Sequence, residues 1–102
     1  MNFAEVMPAF EGGDAALQGF WNGNVRFETW MLDGRKRAVV YVEFVVDANG
    51  KVVDAHIARG FSAALDRAVL DAVRRMPDWT PGRQGDRPVA VRFTQPVRFT
   101  VN

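Results

Sequence analysis

The chain has 102 residues, which suits one domain built on one core. Apolar residues make up 48% and charged residues 25%, and a net charge of +1 gives no pull toward nucleic acid or an anionic membrane surface. Without cysteine, the chain has no disulfides, zinc–thiolate sites or thiol catalysis.

Residues 1–13 scatter apolar side chains (Phe3, Val6, Met7, Phe10) among Pro8, Gly12 and Gly13, the pattern of an irregular arm draped over the domain of residues 14–102. MNFAEVMPAF lacks the basic start and long apolar stretch of a signal peptide. Asp14 is placed to cap a first helix, in which Leu17, Phe20 and Trp21 share a face and which Gly23 and Asn24 end. Residues 25–37 form an irregular connection, with a turn at Asp33-Gly34. Ala38 to Val46 (AVVYVEFVV) then gives the most continuous apolar run. Val40, Val42, Phe44 and Val46 share one face and Val39, Tyr41, Glu43 and Val45 the other, as in a central strand.

Asp47-Ala48-Asn49-Gly50 reads as a hairpin loop. The return strand runs from Lys51 to Arg59 with Val53, Ala55 and Ile57 inward. Gly60 breaks it and Ser62 caps a second helix, whose stripe is Leu65, Ala68, Val69, Ala72, Val73 and Met76. Pro77 stops that helix, and DWTPGRQGDR (residues 78–87) reads as a turn-rich loop in which Trp79 plugs the end of the core.

The last stretch, Pro88 to Val101 (PVAVRFTQPVRFTV), keeps a strict period of two. Its odd positions are apolar apart from Gln95; its even positions are polar, small or proline. Two prolines in one strand point to a sheet edge. The element order is helix, strand, strand, helix, strand. A right-handed crossover sets the third strand beside the first and parallel to the second. The expected fold is α+β, a three-stranded antiparallel/mixed sheet of order 2-1-3 with both helices on one face. At ~3.3 Å per residue, fourteen residues reach roughly 46 Å against about 30 Å for strand one, so an overhang is expected.

Parity gives this edge a direction. In an antiparallel ladder both backbone groups of a residue point to the same side, and alternate residues point to opposite sides. Pro88 and Pro96 are even, so the even set should face the free edge, where a missing N–H costs least. Ala90, Arg92, Thr94 and Arg98 are then expected to offer their backbone to a partner, with Gln95 beside them in the same binding strand.

The segments MPAFEGGDAALQGF, VYVEFVVDANGKVVDAHIARGFSAALDRAVLDAVRRMPDWTPGR and PVAVRFTQPVRF resemble, in one register, the C-terminal domain of TonB, the bacterial energy transducer, in its Bacteroidetes-type form. The resemblance rests on DxxGK in the hairpin, W-x-P-G after the helix and P-V-x-V-x-x-x-x-P-V-x-F at the end. It implies a periplasmic module tied to the inner membrane through an N-terminal anchor and a proline-rich spacer. It also implies strand addition by the TonB box of an outer-membrane receptor, force from an inner-membrane proton-driven motor complex, import of siderophores, cobalamin or glycans, and no cofactor. Where the family has Tyr-Pro in a receptor-contacting region this chain has Phe27-Glu28, which makes these two a secondary contact; Ala38 stands where Gly is usual. The alternative is a TonB-like interaction or dimerisation domain of another membrane-anchored periplasmic protein, such as a peptidase-type sensor. A homodimer through the last strand is compatible with either.

Other chemistries find little support. His56 has no Cys, Ser or second His near it in the sequence and reads as a solvated strand residue. The DANG loop lacks the ligand series of a calcium site. An RNA-binding sheet would want stacking aromatics and a basic face, and only Tyr41 is offered. No catalytic constellation is present, so the reading is a non-enzymatic docking domain.

Overall fold

A computed structural model describes residues 1–101. Helix α1 (Gly13–Asn24) and a 3₁₀ turn (Thr29–Leu32) precede β1 (Arg37–Val46) and β2 (Val52–Arg59). Helix α2 (Ala63–Val73), β3 (Gly82–Gln84), β4 (Arg87–Val89) and β5 (Val91–Thr100) follow. The main sheet has the order β2-β1-β5, both pairings antiparallel, as the crossover rule requires.

β1 is central because both its faces can be covered. Ala38, Val40, Val42, Phe44 and Val46 are buried, and Val39, Tyr41, Glu43 and Val45 are half-buried on the other side. The buried row meets Leu65, Ala68, Val69, Ala72 and Val73 of α2 and Leu17 and Trp21 of α1, so both helices lie on one face. Ser62 caps α2 by accepting a hydrogen bond from the Leu65 N–H at 3.2 Å, and its hydroxyl donates to the Met31 carbonyl at 2.8 Å. Trp79 closes the end of the core, in edge contact with Phe10 (5.3 Å), Phe44 (5.7 Å) and Phe93 (5.4 Å).

Four expectations are corrected. The final strand does not overhang: β5 pairs residue for residue with β1, from Arg37–Thr100 to Val46–Val91. The alternation continues upstream, but Arg87–Val89 turns away to pair with Gly82–Gln84, so part of the expected loop is a second, two-stranded sheet. Gly85, at φ 62°, makes the turn between them. Asp14 does not cap α1; it lies in the first turn behind Gly12, whose left-handed backbone (φ 91°) starts the helix. In β2 the extra residue Asp54, at φ 54°, makes a bulge opposite Glu43–Val45 and turns Val53 outward, so Val52, Ala55 and Ile57 pack on the core.

The N-terminal arm lies over the domain and is stitched down by backbone pairing. Val6 and Arg83 exchange backbone hydrogen bonds (3.1 and 2.8 Å), as do Ala9 and Thr80 (3.0 and 2.9 Å). The arm thus runs antiparallel to β3, and Ala4 is fully covered.

Candidate functional site: the free edge of the last strand

Two hydrogen bonds fix which way the backbone of β5 points. The Val101 N–H donates to the Lys36 carbonyl at 2.8 Å, extending the β1–β5 register by one pair. The odd residues 91–101 therefore spend their backbone groups on β1. The Arg92 N–H donates instead to the Met1 carbonyl at 2.8 Å, on the side away from β1. The even residues therefore face out. Pro96, opposite Tyr41, falls in the outward set, where its missing N–H leaves the ladder intact.

The first part of this edge is already occupied. The Met1 amino group donates to the Ala90 carbonyl (3.1 Å) while its carbonyl accepts from Arg92, a one-residue parallel pairing flanking Val91. Ala90 itself lies in the bend between β4 and β5 rather than in a strand. The backbone groups of Thr94, Pro96, Arg98 and Thr100 face away from β1, and the sheet ends at β5. Gln95 belongs to the inward set: its backbone faces Val42, and its side chain is half-buried on the helix side.

Beside the exposed stretch runs a groove. Three cavities of about 300, 330 and 170 Å³ follow one another along β5. Residues of both strand faces, Gln95 with Pro96 and Val97 with Arg98, line the same cavities. That happens only where a cavity lies off the strand's edge. The other wall is α1, through Asp14, Leu17, Gln18 and Trp21 at i, i+3, i+4 and i+7, a single helical face. α1 runs alongside β5 in the same direction, since Leu17 stands near Phe93 and Trp21 near Phe99. Leu17 and Trp21 were legible as part of one helical face, but Asp14 and Gln18 were not placed on it, and nothing in the sequence said that the face bordered a sheet edge.

The secondary pair separates. Phe27 stacks on Phe99 (5.2 Å between rings, 28° between planes) and closes the far end of the groove. Glu28 is exposed and accepts a hydrogen bond from the Trp30 indole.

The open face of the sheet carries a row of polar side chains: the Glu43 carboxylate lies 3.2 Å from His56 Nε2 and 3.9 Å from the Arg92 guanidinium. Arg92 is thereby committed to a neighbour, while Arg98 makes no ion pair among the described residues. Among those residues no three His, Cys, Asp or Glu gather as a metal site. No helix among them is long and apolar enough to cross a membrane.

Comparison with known proteins agrees with this architecture. The family model of the Gram-negative bacterial TonB protein C-terminal matches residues 33–101. A protein named Protein TonB from Pseudomonas putida is 38% identical over 80 residues, covering 71% of this chain and 33% of its own length. The chain thus spans about a third of that relative. No solved structure matches significantly. The matched segment holds β1, β2, α2 and β5 in one register, and on that ground the chain belongs to the Gram-negative TonB C-terminal family.

Proposed function

We propose that this domain captures an extended peptide by strand addition to the outer edge of β5, over Thr94 to Thr100. The single observation that carries this reading is the outward-facing backbone of a ten-residue edge strand lying beside a groove. A natural sheet normally blunts such an edge; here one proline interrupts it and the first residue of the chain covers only its start. Backbone pairing would supply affinity and the groove would supply side-chain selection.

By family, the peptide is the TonB box of an outer-membrane receptor. The domain works in the periplasm as part of an inner-membrane-anchored transducer, passing force from a proton-driven motor complex to active import. Thr94, Gln95 and Arg98 are the contact residues; Ala90 and Arg92 contribute only if Met1 is displaced. Phe27 supports the far end of the site. No step of this role calls for a catalytic group or cofactor.

The test is a titration of ¹⁵N-labelled protein with TonB-box peptides from receptors of the same genome. Amide shifts concentrated in residues 93–100 and along α1 are expected. Shifts confined to α2 or to the β2 edge would remove the proposal.

A further inference from the structure

A cavity of about 350 Å³ on the outer surface of α2 shares no lining residue with the groove along β5. Its helical wall is Ala64, Arg67, Ala68, Asp71 and Arg75, at i, i+3, i+4, i+7 and i+11, one face of α2 and of the turn that follows it. The other wall is Arg26 and Met31, from the connection between α1 and β1. Three guanidinium groups thus border one cavity in a chain whose net charge is only +1. Arg26 and Arg67 are exposed and make no ion pair among the described residues. Arg75 donates to the Asn24 carbonyl, which holds the side chain in place and leaves its charge uncompensated. The carboxylate in the lining, Asp71, is paired with Arg74 at 3.2 Å. Among these charges the surface is apolar: Ala68 is buried, and Ala64 and Met31 are half-buried.

From this we infer that the cavity is a second docking site, and that its occupant is an extended acidic peptide segment with an apolar residue among its carboxylates. The inference goes beyond strand addition and does not depend on it.

Three points support it. The uncompensated charge calls for an anion, and arginine pairs with carboxylates through two parallel N–H···O bonds. The spacing calls for an anion of some length. Arg67 and Arg75 are eight residues apart, about 12 Å along a helix, and Asp71 stands midway. A compact dianion set between the two arginines meets that carboxylate. Carboxylates four residues apart on an extended chain are roughly 13 Å apart and reach both arginines past it. The apolar strip of Ala64, Ala68 and Met31 gives a residue between those carboxylates a surface to cover.

The probe is the capped peptide Glu-Glu-Leu-Glu-Glu, titrated into ¹⁵N-labelled protein at low ionic strength, where exposed charges are least screened. The comparisons are Glu-Glu-Ser-Glu-Glu and inorganic phosphate. The Arg67, Ala68 and Asp71 amides and the Arg26 and Arg67 Nε–H signals should shift while residues 93–100 stay unmoved. The Ser peptide should bind about tenfold more weakly, the worth of covering much of one leucine side chain. Arg67→Glu, which removes an exposed side chain without an ion pair, should weaken binding about fivefold, since it replaces an attraction by a repulsion. Arg87→Glu in β4 makes the same change in net charge and should leave binding within twofold of the unmodified protein. Equal weakening by the two variants, an equal response to phosphate at matched ionic strength, shifts confined to residues 93–100, or no shift at all would each overturn the site.

Discussion

Proline substitution separates the two roles of β5 within one strand. Thr94→Pro removes an N–H that faces away from β1 and inserts a ring on the open edge. Nothing in the folded domain loses a bond, and Pro96 two residues on shows that the strand accepts the ring. Stability should change by no more than about 0.5 kcal/mol, the range of ordinary surface changes. Peptide binding should drop by about tenfold or more: one hydrogen bond is lost, worth ~1 kcal/mol net, and the ring obstructs the incoming strand. Val97→Pro is the counterpart. Val97 is 2% exposed and sits opposite Val40, so its N–H belongs to the β1 ladder. Its loss orphans a buried carbonyl and should cost about 3 kcal/mol or more. At roughly 4–8 °C per kcal/mol for a domain of this size, the melting temperature should drop by at least ~12 °C. Thermal unfolding by circular dichroism and calorimetric titration of a receptor-derived peptide read both quantities. If Thr94→Pro destabilises the domain as much as Val97→Pro, the assignment of outward and inward residues is wrong.

Other substitutions test the frame that holds the edge in place. Gly50 has φ +85°, and a Cβ there would lie 2.0 Å from the Trp79 carbonyl oxygen, so Gly50→Ala should cost about 3 kcal/mol or more in chemical denaturation. Ser62→Ala removes both the cap on Leu65 and the hydroxyl donated to Met31, and should lower stability by about 1–2 kcal/mol. The hydrogen bond from Lys51 to Asp78, and the charge of that carboxylate, hold the Lys51 amine above its usual value. Because the folded state binds that proton more tightly, the contribution is complete below the ordinary lysine value and fades as pH rises through the folded one. Asp78→Asn should therefore lose this small contribution at neutral pH and show a flatter alkaline limb, the stability–pH curves of the two proteins converging at high pH.

How much could be read beforehand follows from what each signal measures. The period-two run of β1 and the helical stripe of α2 report burial directly, so those elements and the sheet order were legible, as was Trp79 as a plug. The break at Ala90 was not, because alternation in PVAVRFTQPVRFTV continues through it. Strand length is set by the pairing partner: β1 offers ten residues, and the rest of the run finds β3 instead. The Asp54 bulge was hidden for a related reason, since one inserted residue flips the faces of a strand without leaving a turn signal. At the site, Pro96 disclosed the direction of the edge through its missing N–H, whereas Pro88 lies in β4 and not in the edge strand. The groove was out of reach, because it arises where α1 comes to lie beside β5, and no local pattern encodes that approach. Met1 on Ala90 and Arg92 is likewise a contact across nearly the whole chain.

The central claim is that the even residues of β5 form an open edge filled by an extended peptide, and residue-resolved amide hydrogen exchange with and without the peptide tests it most directly. Without peptide, the amides of Phe93, Gln95, Val97 and Phe99 should be protected, and those of Thr94, Arg98 and Thr100 should exchange orders of magnitude faster. With a saturating receptor peptide, Thr94, Arg98 and Thr100 should gain protection while the odd set changes little. Amides of Thr94, Arg98 and Thr100 already protected in the free domain, or unprotected when peptide is bound, would contradict the account.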